Sequence, residues 1–409
     1  MNVLMLGNGF DINYMLLTKY INFLNTVNFL SGQDLTEIHT VGDVLGAGGL
    51  HRLDSDIEKS YQKYKDAYDN TLLPKEDIER ISELVSNNNL FSYFINSVNR
   101  DLGWIDFEKE LMVIIEAFRE FLAEENVTFN AERHSESRVN RYIIGAFDYF
   151  YKPANPGMGD IMEQRVKHKY TIEYPYGSFN SILNKEKIIA TLEQQMVDVA
   201  ECLRIYLKCF VGNVVGEMSR LKYLQQIPAL TGTHRVVTFN YTNTYEQLYT
   251  SEKVYHIHGS IRNRVIIGVN PDETDAIDSI DISFLRFKKY FQRVIQHSDD
   301  EYLGWITSKH NIFSLVVMGH SLDITDKDII MQMFDAAKDI TVLYHNESAE
   351  ASLVANLINI YGKEKFDELR IKKRLRFLPQ NAAYKGFAED RKAKETAAMA
   401  RSLIQMTTV

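Results

Sequence analysis

An apolar run, Val3 to Leu6, opens this chain and passes without a charged residue into Gly7-Asn8-Gly9-Phe10-Asp11. Such a run, broken by two glycines one residue apart, reads as a buried strand ending in a tight turn. A strand needs partners for its backbone donors and acceptors. The residues that follow offer none. From Thr18 to about Leu230 the reading is almost all helix, as in "LDSDIEKSYQKYKDAYDN", "PKEDIERISELVSNNN", "WIDFEKELMVIIEAFREFLAEEN" and "KEKIIATLEQQMVDVAECLRIYLKCFVGNVVGEM". Each repeats apolar residues at intervals of three and four. Residues 150–180, with Pro, Gly and aromatics, and the glycine-rich residues 31–50 read as irregular loops.

From about residue 233 the texture changes. Short β-rich runs, "RVVTF", "KVYHIH", "RVIIGV", "SLVVMG", "ITVLYH" and "RLRFLP", alternate with the helical stretches "TNTYEQLY", "DISFLRFKKYFQRVIQ", "TDKDIIMQMFDAAK" and "ESAEASLVANLINIYG". This alternation predicts an α/β fold: a Rossmann-like, mostly parallel sheet with helices on both faces. The opening strand matches this half, so a large all-helical insertion separates it from its sheet. The expected division is 1–17 for the first strand and turn, 18–230 for the insertion, and 231–409 for the rest of the core, with a helix after Pro379.

Composition narrows the function. A net charge of −9, with Lys and Arg scattered among the acids, argues against duplex nucleic acid as a partner; the basic stretch "KKRLR" at 372–376 is too short to change that. No apolar run is long enough to span a membrane, and the apolar start lacks a basic flank and a small-residue cleavage site. Cys202 and Cys209 lie two helical turns apart, too far for a disulfide, with no further metal ligands nearby. They read as small buried hydrophobes in a reducing cytosol, and the chain as cytoplasmic.

Four strand ends carry small or polar residues. Gly7 and Gly9 allow a tight turn or the close approach of a ligand to backbone, and a following helix would favour a phosphate; the third glycine of a dinucleotide fingerprint is absent. Asn240 ends "VVTFN", where its amide can hold a ribose hydroxyl or a water, or where Asn240 or Thr242 can cap the next helix. In "YHIHGS", His256 and His258 alternate along a strand, and His258 suits a general base near neutral pH. The alternatives are a packed structural pair, or metal ligation with His320 and nearby Asp323. In "VVMGHSLDITDKDII", Gly319 and Ser321 suit a phosphate or ribose oxygen. Asp323, or Thr325 with Asp328, reads as a helix cap, and for Asp323 and Asp326 capping is preferred over catalysis. Together the four ends describe one crevice along the carboxyl edge of one sheet.

As an ordered set, "GNGFD", "FNYTNT", "HIHG" and "GHSL" resemble the AbiH family of bacteriophage abortive-infection proteins, and "WIDFEKEL" at 104–111 is similar to a segment of those proteins. More remotely, the four elements resemble the NAD-binding core of sirtuin-like proteins. That resemblance implies that Gly7, Asn8 and Gly9, with Phe10 and Asp11 following, form the turn that cradles a diphosphate. It matches Asn240 to a ribose-pocket asparagine and His258 to the catalytic histidine. Gly319, His320 and Ser321 match a Gly-x-Ser on the dinucleotide, and Asn346 an asparagine on the adenosine ribose. Two positions depart from the pattern: Asp11 stands where a serine is usual, and Thr242 where an aspartate is usual. Two cysteines cannot build the four-cysteine zinc module of deacetylating sirtuins, so protein deacetylation is not implied. The expected function is an NAD hydrolase of antiphage abortive infection, with NAD as substrate or ligand, no metal, a phage-derived trigger and activity gated by homo-oligomer assembly. The insertion would then be a lid, a trigger-binding surface or an oligomer interface. A non-catalytic nucleotide sensor that switches a partner, and a metal-dependent hydrolase, are the rival readings.

Overall fold

The computed structural model describes residues 2–46, 50, 54–98, 107–123, 128–130, 150–151, 163–166, 168–173, 181–227, 235–249, 253–269, 282–298, 300–306 and 312–380. The chain divides into two compact units, residues 1–16, 212–260 and 297–409, and residues 17–211 and 261–296.

The first unit is built on six strands: β1 Asn2–Leu6, β2 Arg235–Thr238, β3 Lys253–His256, β4 Ser314–Met318, β5 Asp339–Tyr344 and β6 Leu375–Pro379. Every neighbouring pair is parallel, in the order β3-β2-β1-β4-β5-β6. This is the 3-2-1-4-5-6 order of Rossmann-type sheets, whose direction of winding reverses between β1 and β4. The opening strand is therefore central. Leu4 pairs with Val236 on one side and with Val316 on the other. Val3, Leu4, Met5 and Leu6 are all buried, which is why the run shows no polar alternation.

Six helices of this unit are α1 Gly9–Asn13, α2 Asn213–Arg220, α3 Thr244–Leu248, α4 Asp300–Ile306, α5 Lys327–Ala336 and α6 Glu347–Ile371, the last broken at Gly362. Ile329, Ile330, Met333 and Phe334 of α5 form one apolar stripe. They join Leu353, Leu357 and Ile360 of α6 and Tyr302 and Trp305 of α4 over Val3, Met5, Val237, Leu315 and Val317. Each large side chain buried there contributes about 1.5–3 kcal/mol. Pro379 ends β6 at the sheet edge, where a missing N–H is tolerated.

The second unit is largely helical, with long helices Tyr20–Ser31, Ser55–Asn70, Lys75–Ser86, Phe107–Ala123 and Lys185–Tyr206. Phe23 packs on Phe91 and Tyr206, and Phe94 on Phe107. Two expectations are corrected here. The insertion is not all helix: Thr128–Asn130, Phe150–Tyr151 and Glu163–Val166 form a small antiparallel sheet, and Thr171–Glu173 pairs with Ser181–Leu183. Residues 261–296 belong to this unit rather than to the sheet. "RVIIGV" makes no strand of the large sheet; Val269 bridges Lys288, and Gln292 donates to the Ile267 carbonyl at 2.9 Å. The helix Lys289–Gln296 turns its cations inward: Arg293 is fully buried, and Lys289 meets Glu108 of the "WIDFEKEL" segment at 2.7 Å. The Lys289–Glu108 ion pair is one contact between 261–296 and the rest of this unit.

Cys202 and Cys209 are free and buried, as their spacing predicts. Burial, helped by the negative charge of Asp77, pushes the Cys209 thiol up to about 12. Among the described residues no helix is long and apolar enough to cross a membrane. The helix expected after Pro379 falls almost wholly on residues outside the described ones, as does much of 150–180.

Candidate functional site

The loops that follow β1 and β4 lock together at the point where the winding reverses. Gly7 donates its amide to the Met318 carbonyl at 3.1 Å, and Gly9 to the Gly319 carbonyl at 2.8 Å. A Cβ on Gly7 would stand 2.5 Å from the Cα of His320, and one on Gly9 2.7 Å from the Cα of Gly319. Gly319 adopts φ +69° and needs the same clearance. The glycines are thus required by backbone meeting backbone. With the Phe10 amide bonded to the Gly7 carbonyl, three of the turn's amides are already used inside the protein. Phe10 is a core residue between Tyr14 and Tyr245, whereas Asn8 is exposed at the start of α1. At five residues, α1 offers first-turn amides rather than a large macrodipole.

Asn240 lies two residues beyond β2, and His258 two beyond β3. The pairing of Thr238 with His256, continued by the bond from the Ile257 amide to the Thr238 carbonyl, brings 240 and 258 to one level beyond the sheet edge. Neither Asn240 nor Thr242 caps α3; that position is Asn243, without a side-chain cap bond. The Asn240 backbone amide donates to Thr238 Oγ1 at 3.1 Å, while its side-chain amide makes no hydrogen bond to another described residue, although the residue is only 8% exposed. Its loop is held from behind. His256 Nδ1 lies 2.9 Å from the Asn240 carbonyl and Nε2 2.8 Å from Glu246 Oε1, so the ring bridges the two.

His258 and His320 are both buried, and the ring of Phe239 stands edge-on to each, with centroids 5.3 and 4.2 Å away. Between the two imidazoles sits Asp326. Its Oδ1 is 3.2 Å from His258 Nε2 and its Oδ2 3.5 Å from His320 Nε2. Sequence reasoning missed this residue by reading it as a cap. Asp323 does cap, accepting from the Thr325 amide at 3.0 Å, but Asp326 makes no cap bond with its side chain. A signal was present: of two aspartates three apart before one helix, only one was needed for the turn. Among the described residues no group of three or more His, Cys, Asp or Glu side chains could hold a metal ion. Ser321 is exposed and its carbonyl accepts from Asn356 at 2.9 Å. Asn346, just beyond β5, caps α6 by accepting from the Ala349 amide at 2.8 Å.

The two departures from the sirtuin-like pattern meet. Thr242 donates its hydroxyl to Asp11 Oδ2 at 2.6 Å across 231 residues of sequence. Asp11 is buried, and its pKa is raised from 3.8 to about 6. Loss of water is the main cause; the Glu246 charge adds to it, while Thr242, Thr244 and His256 oppose it. The folded state therefore binds more protons than the unfolded chain between those two values, so the residue's contribution to stability falls as pH rises from about 4 to about 6. Above pH 6 the deficit is on the order of 3 kcal/mol. Carboxylates with raised pKa values occur more often at functional sites than elsewhere. Asp11→Asn is expected to raise the urea midpoint at pH 7–8, with the gain vanishing near pH 4; denaturation curves at the two pH values check this.

A family model described as bacteriophage abortive infection AbiH matches residues 3–345. None of the curated proteins and none of the solved structures compared with the chain matches it.

Proposed function

Because the chain belongs to the AbiH family of bacteriophage abortive infection, its role is antiphage, and we propose that it fills this role as a sirtuin-like NAD hydrolase. The observation that carries this reading is the convergence, at the carboxyl edge of a 3-2-1-4-5-6 sheet, of a buried amide without a structural partner and a buried histidine paired with a carboxylate. Breaking the nicotinamide N-glycosidic bond develops positive charge on the ribose and needs a positioned water. In this reading Asn240 orients the ribose or the water and His258 takes the proton. Asn8, Ser321 and Asn346 edge the same crevice on the diphosphate and adenosine side, with Asp11 and Thr242 beside the ribose pocket.

The test is incubation of the purified protein with NAD, with and without extract of phage-infected cells as the source of a trigger, followed by chromatography of the nucleotide. Free nicotinamide and ADP-ribose are the expected products. Intact NAD in both arms, with NAD retained by the protein in equilibrium dialysis, would instead make this edge a sensor that switches a partner.

A further inference from the structure

We propose that Asp326 is the positioning residue of His258: its carboxylate fixes the imidazole with hydrogen on Nε2, so that Nδ1 is the atom that takes the proton from the attacking water. The inference rests on the reading of His258 as the base and adds to it the atom used and the group that selects it.

Three observations converge. First, Asp326 occupies the N-cap position of α5 yet spends no side-chain oxygen on capping, and it is only 8% exposed. Asp323 has already taken the turn before it. Second, the tautomer of His320 is set by its surroundings. Its Nδ1 accepts from the Leu322 amide at 2.8 Å, an arrangement held by Leu322 at φ +54°, so its ring hydrogen lies on Nε2, facing Asp326 Oδ2. One oxygen of the carboxylate thereby faces a donor at 3.5 Å, and the other, Oδ1, lies 3.2 Å from His258 Nε2, an ion-pair contact without hydrogen-bond alignment. An ionised carboxylate only accepts, so the nitrogen opposite it must carry a hydrogen. Third, Phe239 is set against both rings and keeps the cluster dry, which strengthens attraction between the carboxylate and a protonated ring. Contacts of this kind are commonly long before substrate arrives and tighten with it.

The chemistry balances without a further reactant. The water oxygen bonds to C1′ of the ribose as the C1′–N bond breaks. The electron pair of that bond goes to the nicotinamide nitrogen and cancels its charge. The proton lost by the water passes to His258 Nδ1, and Asp326 stabilises the imidazolium until that proton returns to solvent.

Asp326→Asn presents an amide N–H to His258 Nε2 and favours the opposite tautomer. Turnover is expected to fall about 100- to 10,000-fold, with the Kd for NAD, from calorimetry, within about twofold of wild type. Asp326→Glu, which keeps the carboxylate, is expected to recover at least about tenfold over the Asn variant. A packing role alone would move binding and melting temperature with activity and would give no such rescue. Imidazole 15N shifts of the unaltered protein, assigned with a His258→Gln variant, give a readout that needs neither activity nor a folded Asp326 variant; a hydrogen on His258 Nε2 is expected. Hydrogen on Nδ1 overturns the proposal, as does an Asp326→Asn enzyme with turnover within threefold of wild type while His258→Ala is inactive. If NAD is not hydrolysed at all, the functional reading fails, while the 15N spectrum still decides what Asp326 does to His258.

Discussion

Alanine at His258 is expected to reduce nicotinamide release about 100- to 10,000-fold, and alanine at Asn240 about 100- to 1,000-fold. Removing the base leaves the water with no acceptor at the moment its oxygen bonds to the ribose. Removing the amide leaves the ribose or the water without its orienting dipole. Asn240 is small and lies beyond its strand, so its variant should unfold within about 1 kcal/mol of wild type, whereas His258→Ala leaves buried Asp326 without its partner and should cost about 1–3 kcal/mol. The double variant should be no worse than about tenfold below the poorer single one, because groups that serve one step are not additive. Nicotinamide released per minute, measured beside a urea denaturation curve, checks both points. Equal turnover in wild type and both variants would remove Asn240 and His258 from the chemistry.

The second large effect is on folding. Gly319→Ala places a side chain at φ +69°, where its Cβ would meet the Gly9 carbonyl carbon at 2.6 Å as well as the Phe10 amide. Neither neighbour is a flexible side-chain tip that can swing aside. Backbone strain costs about 1–3 kcal/mol and overpacking about the same, so a loss of roughly 4 kcal/mol is expected, a large part of the stability of a typical domain. Denaturant midpoints report it directly. Because the same seam joins the loops after β1 and β4, NAD binding should weaken along with stability. His258→Ala, by contrast, should lose turnover while keeping its affinity for NAD.

The sequence carries the sheet well and the site in part. Val3 to Leu6 is a uniformly apolar strand with no neighbour of its kind for more than two hundred residues, and only a central place in the later sheet gives it two partners. The strand ends at Asn240, His258 and Gly319 were readable because polar residues and glycine interrupt apolar runs there. The role of the glycines was readable only by half: spacing shows that a side chain is excluded but not that the excluding object is another loop. Residues 261–296 misled for a different reason. "RVIIGV" has β-rich texture, but its partners, the Val269 bridge to Lys288 and the Gln292 bond to the Ile267 carbonyl, lie within 261–296 rather than in the sheet. The Asp11–Thr242 hydrogen bond was invisible in the sequence, since its partners lie 231 residues apart and meet only in space.

The central place of β1 has a consequence for how this protein is made. Its partner β4 follows roughly 300 residues later, so at about 5–20 residues per second the ribosome takes on the order of 15–60 s to deliver it. Until then the Gly7 and Gly9 amides have no Met318 or Gly319 carbonyl to bond, and His258 has no Asp326. A nascent or prematurely terminated polypeptide thus lacks both the glycine seam and the Asp326–His258 pair, and in the proposed reading has no assembled site.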